Sequence, residues 1–279
     1  MRTRASVVAL SLGVLLLSGC ASAGRGTGTA ALRAPALAAT IENTDRRLTA
    51  ALLADAVRPS ADGALQVAEE YRRLGLLDSA HDWLVRALEK DPRSAAVHEA
   101  LARIWRDWRM PDTGLAHAYR AVHFAPSSAS ASNTLGTLLD ALGRWDEAQE
   151  AYQQALALDR EAAWALNNLC YLAFRRGRLE EARAHCEAAV QVAPALLAAH
   201  NNLGLTYAAA GDMTRAHKAF RGAGDAAAAD YNLGMMHLAQ REYAAAARAF
   251  EQAIKTRPGF TAAKTRAHVA RLRLLTRRP

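Results

Sequence analysis

From residue 61 to residue 260 small and apolar residues recur three and four positions apart in short blocks, and glycine or proline separates the blocks. That spacing is the period of an amphipathic helix, and no segment shows the strict alternation of a half-buried strand. The blocks themselves repeat. Pro92, Pro126, Pro194 and Pro258 are separated by 34, 68 and 64 residues, and counting back from each places repeat starts near Ala61, Ala95, Ala129, Ala163, Leu197 and Ala227. The clearest copy is NTLGTLLDALGRWDEAQEAYQQALALD, residues 133–159. A fixed period of roughly 20 to 50 residues predicts a solenoid, in which each unit buries its apolar face against its neighbours.

Each unit reads as two helices. Gly136, Gly204 and Gly234, with Ala68 and Ala102, sit where the first helix must approach the second, and Ala80, Ala148, Ala182, Ala216 and Ala246 face them. Gly75, Gly143, Gly177 and Gly211 are placed to end the first helix with a positive-φ cap. The prolines fall in turns between units, where a missing N–H does little harm. The second unit departs from the pattern, with Gly114 in the alanine position and Arg109 in the capping position, and with Pro111 placed to start its second helix. The fifth is four residues short, which predicts a shortened second helix and a local change of pitch. Upstream, residues 45–57 look like a half-unit. Downstream, residues 261–276 place Ala263, Ala267, Ala270 and Leu274 on one side and charge elsewhere, as a terminal helix sealing the stack would.

This pattern resembles the tetratricopeptide repeat, a helix–turn–helix unit of thirty-four residues, over residues 61–260. The resemblance implies an all-α, right-handed superhelix of about six repeats with a C-terminal capping helix, its concave wall lined by the first helix of every unit. The inward stripe of the fourth unit then collects Trp164, Asn167, Asn168, Tyr171, Phe174 and Arg175; the fifth adds Asn201, Asn202 and Leu205; the sixth adds Tyr231, Asn232, Met235 and Leu238. Asparagine is about 0.5 kcal/mol worse than alanine inside a helix, so aligned asparagines ask for a reason. A carboxamide both donates and accepts. A row of them at Asn168, Asn202 and Asn232 is therefore expected to pair with the main chain of a bound peptide, with Arg175 stacked on Trp164 or Phe174. The alternative is that the amides only bridge neighbouring helices or face water. The inner residues of the first three units, among them Glu69, Arg72, Glu99, Arg103, Asp107, Asn133 and Asp140, read as a solvated charged face.

The first twenty residues do not fit the repeat. Arg2 and Arg4 precede an apolar run at 5–17 that ends in Leu17-Ser18-Gly19-Cys20. Such a run is shorter than the roughly twenty residues a spanning helix needs and reads as a secretory leader. Its ending resembles the bacterial lipobox, which implies cleavage before Cys20 and acylation of that cysteine. Ala21 in place of aspartate resembles outer-membrane sorting, facing the periplasm. The expected organisation is a leader at 1–19, a flexible tether at 20–41, a half-repeat at 42–60, six units at 61–260, and a basic capping helix and tail at 261–279.

Charge adds one point. Of a formal net charge of +8, two positive charges lie in the leader and six at 264–278, so the intervening chain is neutral. On an exported chain the basic end points to anionic lipid or an envelope polymer and not to nucleic acid. Catalytic motifs are missing from the sequence: the nine histidines include no His-Glu-x-x-His pair, and there is no Gly-x-Ser-x-Gly elbow. His98 and His200 occupy a bulky packing position, and His185 and Cys186 point about 100° apart on one helix. No enzyme activity, cofactor or metal is expected. Cys170 and Cys186 face each other across the fourth unit. They form a disulfide if their Cα atoms approach within about 7 Å, whereas the usual helix spacing of about 8 to 10 Å favours two buried thiols. The combination of lipobox and about six units is similar to lipoproteins that act as pilotins or assembly factors for type IV and Tad-type pili and related secretion systems. An adaptor for peptidoglycan synthases or hydrolases is the second expectation.

Overall fold

The computed structural model describes residues 45–276. Among the described residues there are fourteen α-helices and no strand: α1 (Arg46–Val57), α2 (Ala61–Arg73), α3 (Leu77–Lys90), α4 (Ala95–Asp107), α5 (Pro111–Phe124), α6 (Ala129–Ala141), α7 (Trp145–Leu158), α8 (Ala163–Arg175), α9 (Leu179–Val192), α10 (Leu197–Ala209), α11 (Met213–Gly222), α12 (Ala226–Ala239), α13 (Tyr243–Thr256) and α14 (Thr261–Leu275). From α2 to α13 they form six antiparallel pairs. The leader, Cys20 and the tether lie outside the described residues.

Local chemistry sets the ends of these helices. Ser60, Ser94 and Ser128 cap α2, α4 and α6 by accepting the backbone N–H three residues on, which satisfies one of the donors a helix start leaves open. Asp212 and Asp225 do the same for α11 and α12, and Pro111 opens α5. The first helix of every unit ends one residue before a C-cap, and the next residue has positive φ. That residue is Gly75, Gly143, Gly177 or Gly211 in four units, but Arg109 (φ 63°) and Arg241 (φ 61°) in the other two. All six units thus make the same left-handed turn, with or without glycine.

Within a unit the two helices cross closely between the eighth and the twenty-fourth residues of the unit. A Cβ on Gly136 would lie 2.5 Å from the Tyr152 ring, and one on Gly234 would lie 2.7 Å from Phe250; Gly204 meets Phe220 the same way. The rings are fully buried, so a large side chain from one helix fills the room its partner leaves. In the first two units the pairs are Ala68 with Leu84 and Ala102 with Ala118, again fully buried.

In the fourth unit the pair is Cys170 and Cys186, and it is a disulfide with Cα atoms 5.2 Å apart. This corrects the expectation of two free thiols. The mean axial spacing of packed helices does not apply at a crossing reserved for glycine and alanine, where backbones approach more closely.

The shortened fifth unit shows its deletion in α11, which has 10 residues against 14 in the other second helices. His200 fills the gap over Gly222, where a Cβ could not fit, and Gly224 turns the chain with φ 84°. Across this junction His217 Nε2 lies 2.7 Å from Oδ1 of the buried Asp230. At the C-terminal end, Ala263, Ala267 and Ala270 are buried as expected, but Leu274 is 48% exposed. It lies a turn beyond Ala270, where no described helix covers it.

A left-handed turn costs a non-glycine residue about 1 to 2 kcal/mol, partly offset by the about 0.5 to 1 kcal/mol of chain entropy glycine loses on folding. The exposed Arg109 side chain makes no hydrogen bond or ion pair among the described residues. Arg109→Gly is expected to stabilise the fold by about 0.5 to 1 kcal/mol, read as a higher denaturant midpoint at unchanged m-value; a lower midpoint would refute this reading of the turn.

Candidate protein-binding groove

The first helices α2, α4, α6, α8 and α10 pack each against the next, whereas no two successive second helices pack comparably. Elements that crowd together on one side and spread on the other define the inside of a curve, so the first helices form the inner wall. Side chains thirty-four or thirty-five residues apart therefore meet along that wall.

The asparagines do so in a regular way. Asn168 Nδ2 donates to Asn133 Oδ1 at 2.8 Å, Asn202 Nδ2 to Asn167 Oδ1 at 2.9 Å, and Asn232 Nδ2 to Asn201 Oδ1 at 3.3 Å. Each rung joins the sixth residue of one unit to the fifth of the unit before it. A fourth rung continues the series with other chemistry, Thr134 Oγ1 donating to Glu99 Oε1 at 3.1 Å. The amides thus bridge neighbouring helices. Each rung still leaves the donor residue its carbonyl oxygen and the acceptor residue its NH₂ group, and all six asparagines are half-buried.

The charged stretch of the first three units is not merely a solvated face. Glu99 is only 8% exposed and accepts from Ser130 at 2.6 Å as well as from Thr134. Arg103 bonds Glu69 at 2.7 Å, Arg72 bonds Asp107 at 3.0 Å, and Arg175 bonds Asp140 at 2.7 Å. The register that aligns the amides also aligns opposite charges from successive units. Burial pushes the Asp140 carboxyl up from its ordinary value, with the Arg175 guanidinium opposing the shift.

The aromatic residues are placed differently from expectation. Arg175 stacks not on Trp164 or Phe174 but on Trp145 and Tyr171, 5.5 and 5.7 Å from the ring centroids. Trp164 lies eleven residues back, about 16 Å along the helix, and Phe174 is the adjacent residue and points elsewhere. Tyr171 is one turn back on the same face, and Trp145 comes from the start of α7 in the preceding unit. The sequence could not signal Trp145, because its partner is thirty residues away on another unit. Trp164 is 36% exposed, and Trp145 is 39% exposed. Leu205 packs on the cluster around Phe220. Tyr231 packs against Phe250 and Phe260, and Met235 and Leu238 lie on the same cluster. The apolar part of the last two units is therefore largely used for packing, and the open part of the wall is centred on α6 and α8.

The histidines have structural partners. His98 and His200 each place Nε2 against the carbonyl of the proline six residues earlier, Pro92 at 3.1 Å and Pro194 at 2.8 Å. With Nε2–H of His98 committed to that carbonyl, its Nδ1 accepts from His117 Nδ1–H at 2.9 Å. This pairing needs His98 neutral, because its Nδ1 must keep a lone pair, whereas His117 donates Nδ1–H in either protonation state. Burial first, then the proximity of His98, Arg120 and His81, pushes His117 down to about 4, and burial lowers His98 and His185 as well. Among the described residues no group of three or more His, Cys, Asp or Glu is arranged to hold a metal ion, and no helix is long and apolar enough to cross a membrane.

Residues 133–196 and 201–261 match the tetratricopeptide repeat family. The chain is a helical solenoid that over these residues is of tetratricopeptide type, and proteins built of such repeats are in general non-catalytic scaffolds for protein–protein interaction. Among curated proteins none matches the sequence significantly. Many solved structures share the fold, among them these three. The Cut9–Hcn1 hetero-tetramer of the APC/C aligns at 17% identity with a TM-score of 0.68, over 83% of this chain and 48% of that one, so the chain spans about half of its length. PilW, described as a widely conserved type IV pilus biogenesis factor, aligns at 22% identity and TM-score 0.64, over 74% of this chain and 97% of that one. PilF of Pseudomonas aeruginosa aligns at 18% identity and TM-score 0.60, over 76% and 96%.

Because the fold holds His117 neutral, its contribution to stability is present above the unfolded value of about 6.5 and is lost as pH falls from there through about 4. For a half-exposed ring the loss is about 1 to 2 kcal/mol once solvent screening is counted. Urea midpoints measured from pH 7 to pH 4 should fall, and His117→Gln should fall less steeply. Parallel profiles would show that this pair does not set the acid sensitivity.

Proposed function

We propose that the chain is a lipid-anchored, non-catalytic scaffold of the bacterial envelope that holds a peptide segment or partner protein in its concave groove, in pilus or secretion-system assembly. The observation that carries the binding reading is the row of asparagine rungs. Each leaves one acceptor and one donor per step on the inner wall, spaced by the repeat and independent of the partner's side chains. Around α6 and α8 these amides adjoin Trp164, Tyr171 and the Arg175–Trp145 stack, residue types that concentrate binding energy at interfaces. The likeness to PilF and PilW, whose lengths this chain nearly covers, supports the pilus assignment. The Cys170–Cys186 disulfide supports an exported, oxidising location, in keeping with a leader ending at Cys20 and an outer-membrane anchor facing the periplasm.

Losing each amide contact costs about 1 kcal/mol, so Asn168→Ala/Asn202→Ala is expected to weaken partner capture from envelope extract about thirtyfold, with the chain still folded by circular dichroism. Unchanged capture by the folded double variant would remove the amides from recognition. For the anchor, Cys20→Ser is expected to move the protein from the membrane to the soluble envelope fraction, and acyl mass on the Cys20 peptide should vanish with it. Membrane retention without acylation would sink the lipobox reading.

A further inference from the structure

The formal charge excess of the chain is concentrated at one end. Residues 252–279 hold eight of the 35 Lys and Arg and none of the 27 Asp and Glu, so the remaining 27 Lys and Arg balance the acidic residues before residue 252. Most of this segment is α14. One edge of α14, Ala263, Ala267 and Ala270, is buried against the last unit. An exposed side of the helix carries Lys264, His268, Leu272 and Leu275, spaced four, four and three residues apart and so aligned on one stripe.

Two leucines are open on that stripe, Leu272 at 48% and Leu275 at 63% exposure. Lys264 and Arg271 border the stripe on one side, and Arg266 and Arg273 lie further round the exposed surface. Arg271 is bonded to Glu251, whereas Lys264, Arg266 and Arg273 carry no ion pair among the described residues. A single exposed leucine on a protein surface is ordinary. Two in line with the outward face of a helix whose only charges are positive is the arrangement of a helix lying in a lipid interface, apolar residues dipped toward the acyl chains and cationic stems reaching the headgroups.

Other occupants fit less well. A polyanionic polymer would pair the cations and leave both leucines in water. A second copy, once the leader is removed, carries a net charge of only −2 over residues 20–251, from 25 Lys and Arg and 27 Asp and Glu, against the eight cations of this segment. We propose that α14 is a second membrane contact, lying flat on anionic phospholipid with Leu272 and Leu275 inserted, so that the solenoid is held at both ends. The proposal rests on the envelope placement argued above but not on the groove. It adds a second point of attachment, on α14, to the one proposed at Cys20.

The test uses the full-length acylated chain with His268→Cys carrying a polarity-sensitive fluorophore. The introduced thiol is the free one, because Cys170 and Cys186 are joined and Cys20 is acylated in this reading. The protein is reconstituted into vesicles of phosphatidylcholine with phosphatidylglycerol, or of phosphatidylcholine alone. The expected result is a blue-shifted label, quenched by a bilayer-resident quencher, in the anionic vesicles only; a control label at Thr113→Cys on α5 stays water-like in both. Each cation near an anionic surface contributes about fivefold. Lys264→Glu/Arg266→Glu/Arg273→Glu should therefore shift the docking equilibrium about 100-fold or more toward water, and Leu272→Ser/Leu275→Ser should remove the blue shift while the protein still floats with the vesicles. A water-like label on protein that floats overturns this proposal and leaves the Cys20 anchor standing. A blue-shifted label on floating Cys20→Ser protein supports the proposal and counts against an anchor at Cys20. Failure of the acylated chain to float overturns both.

Discussion

The closest approach in each unit, where the first helix crosses the second, constrains everything built on it. Two backbones can come that near only if at least one side chain is small, and the partner must then fill what is left. Gly136 with Tyr152, Gly204 with Phe220 and Gly234 with Phe250 solve this with one absent and one large side chain; Ala68 with Leu84 and Ala102 with Ala118 solve it with smaller pairs. The fourth unit uses a covalent bond between two cysteines whose Cα atoms are 5.2 Å apart. The distance that makes glycine necessary in the other units is the distance that lets a disulfide form in this one.

Because the helices of a unit cross in the same way each time, successive units stack in register, and the inner wall inherits that register. Residues one repeat apart become neighbours, which turns a sequence period into a hydrogen-bond lattice: asparagine to asparagine over α6 to α12, threonine to glutamate between α4 and α6, arginine to carboxylate in the C-terminal half of the first helices. In a solenoid each unit touches little besides its neighbours, so these lateral bonds are part of what couples one unit to the next. The groups proposed to bind a partner are the same groups that hold the units together. A partner that completes the open valences of the amides would therefore stiffen the stretch it occupies.

The architecture was largely legible in the sequence because it rests on local rules repeated many times. Helical periodicity, the glycines that turn most first helices, and the small residues at the crossing all act within about thirty residues, and a period of thirty-four makes each visible against the others. Even the irregular fifth unit announced its short second helix through a four-residue deficit. The exceptions also have local causes. Arg109 and Arg241 take the left-handed turn without being glycine, since the surrounding fold imposes that conformation whatever residue is there.

What the sequence determined by itself was therefore the helical solenoid, its units, and which residues share the inner face. The tertiary structure decided what those residues do there. It paired the asparagines with one another, moved Arg175 onto Trp145 and Tyr171, drew Tyr231 and Met235 into packing, buried Glu99 under two hydroxyls, and joined Cys170 to Cys186. Periodicity specifies direction around a helix, but a side chain's partner depends on the distance and rotation between helices from different units, and those are set only when the units stack.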